Sequence, residues 1–109
     1  MRVIARIVPG PQWRPGASVY EQGPPIEAHL AYMRDRFDDH CLVMGGPLAT
    51  AMSGLAVLEV PDLRAAEAFA QADPAVVAGV LVYEVDEWLP YFDAVSGVRA
   101  GGPAAHLPS

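Results

Sequence analysis

Apolar residues in this chain fall into four short runs and two longer, spaced patterns. "RVIARIV", Arg2 to Val8, is short and β-branched and predicts a strand, stopped by the Pro/Gly loop "PGPQWRPG". "PPIEAHLAYMRDRFDDH" then spaces Ile26, Leu30, Met33 and Phe37 at i, i+4, i+7 and i+11, the period of one helix face, with a proline suited to its first turn. "CLVM" predicts a short strand ending at "GGP", and "SGLAVLEV" a further strand ended by Pro61. "DLRAAEAFAQA" predicts a second helix, with Asp62 as its cap and Leu63, Ala66 and Ala70 facing inward. "GVLVYEV" is the last expected strand, followed by "DEWLPYF".

The order β-α-β-β-α-β is the split βαβ pattern of an α+β, ferredoxin-like protomer with an antiparallel sheet. Two helices cover only one face of a four-stranded sheet. The strands are nevertheless apolar on both faces: Leu55 and Val57 alternate with Ala56 and Leu58, and Val80 and Val82 with Leu81, Tyr83 and Val85. The uncovered face therefore calls for a partner, most simply the same face of a second copy, in a homodimer whose two sheets pack together. Residues 1–95 are expected to form this one domain. "SGVRAGGPAAHLPS", 96–109, carries too little periodic apolar content to fold alone and is expected to be a flexible tail.

Composition narrows the function. The chain of 109 residues is 52% hydrophobic and only 18% charged, an apolar excess that again suggests a buried subunit interface. A net charge of −6 with no basic stripe argues against nucleic acid and against an anionic membrane surface. All seven cationic side chains are Arg, so chemistry through a Schiff-base lysine is excluded. Cys41 is the single cysteine, which precludes an intrachain disulfide and fits a reducing, cytoplasmic location; beside Leu42 it reads as an inert strand thiol. No run is long enough for a signal peptide or a membrane span.

Few residues carry chemistry. His29 sits at the edge of the first helix's apolar face, on the flank of Met33 and Arg36, and can exchange a proton near neutrality. Asp73, followed by Pro74 and "AVVAG", suits the N-cap of a one-turn helix ending at Gly79. Ser53 and Thr50 are available hydroxyls, but no G-x-S-x-G elbow surrounds them and turn chemistry accounts for both. "GGP" serves either a turn or close approach of backbone to a ligand. Asp38, Asp39 and His40 are consecutive, point in different directions, and read as a solvated helix end; His106 falls in the tail. No metal site is expected, and without G-x-G-x-x-G no dinucleotide site is either.

"AHLAYMRD", "VMGGPLA" and "AEAFAQADPAVVAGVLVYEV", in that order across Ala28 to Trp88, resemble the YCII-like (YciI-related) proteins of the dimeric α+β barrel superfamily. The resemblance implies ferredoxin-like protomers paired as a dimeric α+β barrel, with a His–Asp pair in each protomer's cleft. By motif these are His29 in "AHLAY" and Asp73 in "QADP". It also implies cofactor-free chemistry, since one relative removes chloride from a chlorinated hydroxyhydroquinone. The chain departs from the pattern at "GPPIEAH", where relatives often carry an arginine, and at "DDHCLV", where many have an acidic-Gly turn.

The leading expectation is a small cofactor-free enzyme in which His29, oriented by Asp73, performs general acid/base chemistry: elimination, isomerisation or cyclisation of an apolar or aromatic small molecule. Tyr32, Met33, Met44, Gly46, Pro47 and Tyr83 are the expected substrate pocket, with Trp13 and Trp88 as further candidate walls. The alternatives are a non-catalytic ligand-binding or interaction module, and a cofactor-free monooxygenase; fold alone does not choose among them.

Overall fold

The β-branched runs form four strands: β1 (Arg2–Pro9), β2 (Leu42–Pro47), β3 (Gly54–Glu59) and β4 (Leu81–Glu87). Three helices join them: α1 (Pro24–Asp38), α2 (Leu63–Ala72) and the one-turn α3 (Pro74–Val77). The computed structural model describes residues 1–94; the expected tail at 96–109, with His106, lies outside the described residues. The strands make one antiparallel sheet in the order β2-β3-β1-β4, the ferredoxin-like arrangement. Its register places Val3 opposite Leu58 and Ala5 opposite both Ala56 and Val85. Those residues share the face under the helices, where Ala66, Phe69 and Ala75 complete the core.

On the opposite face Ile4 lies level with Val57 and Asp86, Val57 with Met44, and Arg6 with Leu55 and Glu84. The centre of this face is apolar and half-exposed, but Glu84 and Asp86 make its β4 margin polar.

Two expected elements come out differently. "GGP" does not end the second strand. Gly45, Gly46 and Pro47 continue it, opposite Ala56, Leu55 and Gly54, after an irregularity between Leu42 and Met44. β2 is an edge strand, where proline and glycine interrupt no ladder on the far side. The turn falls instead at 48–53, closed by the Leu48 N–H donating to the Ser53 carbonyl at 2.9 Å.

The inner face of α1 is also rotated from the expected stripe. Ile26 is buried, but Leu30 and Phe37 are 51% and 56% exposed. The inward positions are Ile26, His29, Tyr32, Met33 and Arg36. A polar partner behind His29 and the stacking of Arg36 over the Tyr32 ring, 5.3 Å from its centroid, turn that flank toward the protein. In α2, Ala66 and Ala70 face inward as expected, while Leu63 is exposed and Phe69 fills the core in its place.

α1 stops at Asp38 because His40 takes φ +66°, and the Cys41 N–H then reaches back to the Arg36 carbonyl at 3.0 Å. Asp39 pairs with Arg36 at 2.5 Å, so this acidic end is a helix terminus, and Cys41 is half-buried before β2.

The long β1–α1 connection is held at both ends. Gly10 N–H donates to the Val80 carbonyl and Gln12 N–H to the Gly79 carbonyl, both at 2.8 Å. A Cβ at Gly10 would collide with the Gly79 carbonyl oxygen. Gly10→Ala should therefore cost about 1–3 kcal/mol, the usual range for forced overpacking. Thermal unfolding checks this, since each kcal/mol lowers Tm by about 4–8 °C in a domain of this size. Further along, buried Gln22 accepts from the Arg14 N–H at 2.7 Å, and its amide donates to the carbonyls of Arg14, Ala17 and Ser18 at 3.0–3.2 Å.

Candidate active site

Asp73 links two helices by its backbone and side chain together. It terminates α2 and caps α3, its Oδ1 accepting from the Ala75 N–H at 2.9 Å. This is the cap expected from "DPAVVAG", but the side chain is also 0% exposed. A buried carboxylate is tolerated only where its lone pairs are satisfied. Here Oδ2 accepts two further bonds, from His29 Nδ1 and from the Tyr83 hydroxyl, each at 2.5 Å.

These donors come from separate elements. His29 reaches in from the middle of α1, and Tyr83 from the helix-covered face of β4, where its register partner is the core residue Ile7. Burial first, and then the hydrogen bond to Asp73, hold the Tyr83 phenol far above the ordinary tyrosine range. Tyr83 therefore stays protonated and donates. Its oxygen also lies 3.4 Å from Met33 Sδ. Tyr32 is occupied elsewhere, donating to the Phe69 carbonyl at 2.7 Å and meeting the Phe69 ring edge-on at 5.4 Å. Burial, ahead of its charged neighbours, raises its phenol as well.

With Nδ1 donating to the carboxylate, the neutral imidazole carries its lone pair on Nε2. The His29 side chain is 12% exposed and lines a cavity of about 550 Å³. The floor is aliphatic: Ile7, Ile26, Leu42 and Leu81, with Leu30 and Met33 beside the histidine. One wall is the β1–α1 connection, through Trp13, Ser18, Val19 and Tyr20. The other is the β2–β3 hairpin, from Gly45 through Pro47 and Met52 to Ser53. Among the described residues no Asp, Glu, Lys or Arg lines this space.

His29 and Asp73 are thus brought together from positions 44 residues apart. Of the expected pocket residues, Met33, Gly46 and Pro47 line the cavity, as does Trp13. Tyr32, Met44, Tyr83 and Trp88 do not. The two tyrosines point into the helix–sheet layer, where their hydroxyls find protein partners. Met44 sits on the far face of the sheet, beside a shallow groove with Leu30 and Phe37, and Trp88 is exposed past the end of β4.

Sequence reasoning missed the role of Tyr83 as a partner of Asp73, and that of Gln22 in shaping the Trp13 wall. A tyrosine in an apolar strand and a glutamine just before a helix were the only local signals. Thr50 is exposed on the hairpin and is not among the lining residues. Among the described residues no group of three or more His, Cys, Asp or Glu is placed to hold a metal ion, and no helix is long and apolar enough to cross a membrane.

The model of the YCII-related domain matches residues 14–89, a span that includes His29, Asp73, Tyr83 and the cavity walls from Ser18 to Ser53. Among solved structures, 5-chloro-2-hydroxyhydroquinone dehydrochlorinase from Burkholderia phenoliruptrix AC1100, in complex with 2,5-dihydroxybenzoquinone, superposes with a TM-score of 0.60. The two are 22% identical, over 80% of this chain and 93% of that one, a likeness of fold. No curated protein matches the chain in sequence.

Proposed function

The chain belongs to the YCII-related domain family, and on that premise we propose that it is a small cofactor-free enzyme in which His29 transfers a proton and Asp73 orients it. The observation that carries this reading is the 2.5 Å contact between His29 Nδ1 and a fully buried carboxylate, with the histidine on the wall of an apolar cavity. Such an arrangement presets the tautomer that leaves Nε2 basic, and the carboxylate behind the ring stabilises the charge gained with the proton. The substrate is an apolar or aromatic small molecule, in keeping with the aliphatic floor and the Trp13 wall. Nε2 takes a proton from substrate carbon or oxygen. The released electron pair either expels a leaving group as its anion, moves a double bond, or closes a ring, and the imidazolium then returns its proton to product or water. A fold neighbour that acts on a chlorinated hydroquinone and binds a dihydroxyquinone supports the elimination among these.

The experiment is proton exchange. Phenolic and quinol compounds that raise the melting temperature are incubated with the protein in deuterated buffer and followed by NMR. Enzyme-dependent deuterium incorporation or turnover is expected. Saturable binding with neither would leave a ligand-binding module.

We also propose that the open sheet face pairs two copies in a homodimer, supported by the apolar row Met44–Val57–Ile4 flanked by Leu55. Its interface would exceed about 1,200 Å² in total. Val57→Glu should give monomers or insoluble protein, and a wild type that sediments as a monomer at micromolar concentration would contradict the pairing.

A further inference from the structure

The His29 cavity is open toward the C-terminal half of α1. It shares Leu30, Met33, Leu42 and Gly45 with the shallow groove beside Phe37. The two spaces succeed each other along the helix: Ile26 and His29 border only the cavity, Arg34 and Phe37 only the groove. Gly45 stands at their junction, on the helix-covered side of β2, level with the core residue Ala56. It is nevertheless exposed, with no side chain of its own to fill the gap between strand and helix. Its backbone does not call for glycine. Its φ is not positive, and a Cβ there would meet Leu42 Cδ1 at 3.3 Å and two further atoms at ordinary contact, 3.5 and 3.7 Å. Gly10 differs, since its Cβ would strike a carbonyl oxygen. A glycine inside a strand weakens it, and marks places where another group comes close. Leu30 and Phe37 wall the groove while half-exposed to water, and Arg34 is the only charged residue along it among the described residues. A single aromatic ring fills an apolar cavity of about 150 Å³. The cavity alone has about 550 Å³.

We propose that Gly45 joins cavity and groove into one elongated ligand site, and that its substrate is a ring compound bearing a hydrocarbon chain. The ring lies beside His29, and the chain passes over Gly45 into the groove. From Leu30 to Phe37 the groove follows α1 for about 10 Å, at 1.5 Å per residue, which leaves room for several carbons. This names the substrate class for the acid–base reading and rests on it: His29 supplies the chemistry, and the length of the site selects what reaches it.

The test titrates phenol, 4-propylphenol and 4-hexylphenol by NMR into wild type, Gly45→Leu and Phe37→Ala. A fully buried methylene tightens binding about fourfold; a one-sided groove gives about half that free energy, so wild type should bind 4-hexylphenol about 10- to 100-fold more tightly than phenol. The hexyl compound should shift Phe37, Val43 and Met44, which phenol leaves unmoved. Gly45→Leu plugs the junction and should abolish the gain from the chain while phenol still binds. Phe37→Ala alters the groove without touching the cavity, and should reduce that gain even if Gly45→Leu does not fold. A gain that is the same in every variant, or absent from wild type, overturns the elongated site. So do groove resonances that move with protein concentration alone, which would put a second copy there. Proton transfer by His29 is scored separately, by deuterium incorporation into the same phenols. Incorporation without a chain-length gain overturns the elongated site and leaves His29 chemistry standing. If no probe shifts Trp13 or His29, the cavity is not a site for such rings, and both readings fall together.

Discussion

His29→Ala should lower turnover by about 10²- to 10⁴-fold, the usual share of a positioned general acid or base, while the fold survives. The side chain contributes one hydrogen bond to Asp73, whose carboxylate keeps its bonds from Tyr83 and the Ala75 N–H. The remaining cost is that of a partly unsatisfied buried acceptor, about 1–3 kcal/mol. His29→Gln separates the two effects. Its amide can still donate toward Asp73, restoring stability, but it has no titratable nitrogen and should be as inactive as alanine. The measurement is single-turnover rate or deuterium incorporation on a compound selected in the exchange screen, beside a urea melt. A rate near wild type in either variant would place proton transfer on another group.

Much of the architecture is legible because it is written locally. Pro9–Gly10, Pro61 and the Gly79 position with φ +77° punctuate the strands, and Asp62 and Asp73 announce helix starts that the structure shows, with caps to Ala65 and Ala75 at 2.8 and 2.9 Å. These signals act over two or three residues and need no tertiary context. The β-α-β-β-α-β order follows from them.

What was not legible depends on distant partners. The periodicity of α1 fits two adjacent faces. One has Leu30 and Phe37, and the other has His29 and Arg36. Hydropathy prefers the first. The protein turns the second inward, because Asp73 and Tyr83 wait there with hydrogen bonds that no window along α1 reveals. The same blindness sent Tyr32 and Tyr83 to the pocket wall. Their rings are where apolar residues belong, and only the long-range partners of their hydroxyls show that they face away from the cavity. "GGP" is a third case: glycine and proline signal a turn, and an edge strand is the setting in which that signal loses. The His29–Asp73 pairing itself was available through family resemblance, not through spacing.

Asp73 carries the largest expected effect on stability, and its variants should separate its two roles. Asp73→Ala removes the α3 cap, worth about 0.5–2 kcal/mol. It also strands the Tyr83 hydroxyl and the His29 Nδ1–H in a buried layer, at about 1–3 kcal/mol each where no water enters. Together these reach about 2.5–8 kcal/mol, a large part of the 5–15 kcal/mol that typically holds a domain folded. The variant should melt at least about 10 °C lower, at roughly 4–8 °C per kcal/mol, or fail to fold. Asp73→Asn keeps an oxygen for the Ala75 N–H, but turns an amide N–H₂ toward two groups that were donors. The Tyr83 hydroxyl can rotate to accept. His29 can accept only by moving its proton to Nε2, which removes the basic nitrogen from the cavity side. Asp73→Asn should therefore unfold within about 1–2 kcal/mol of wild type, yet lose activity comparably to His29→Ala. Tyr83→Phe removes one of three donors to the carboxylate and leaves the tautomer unchanged. Urea melts of the three variants, with ¹⁵N NMR of the His29 ring, read both quantities at once. Nδ1–H in wild type and Tyr83→Phe, with Nε2–H in Asp73→Asn, is the expected pattern. The same ring tautomer in wild type and Asp73→Asn would mean that the carboxylate does not orient His29. Asp73 would then be a capped helix start and nothing more.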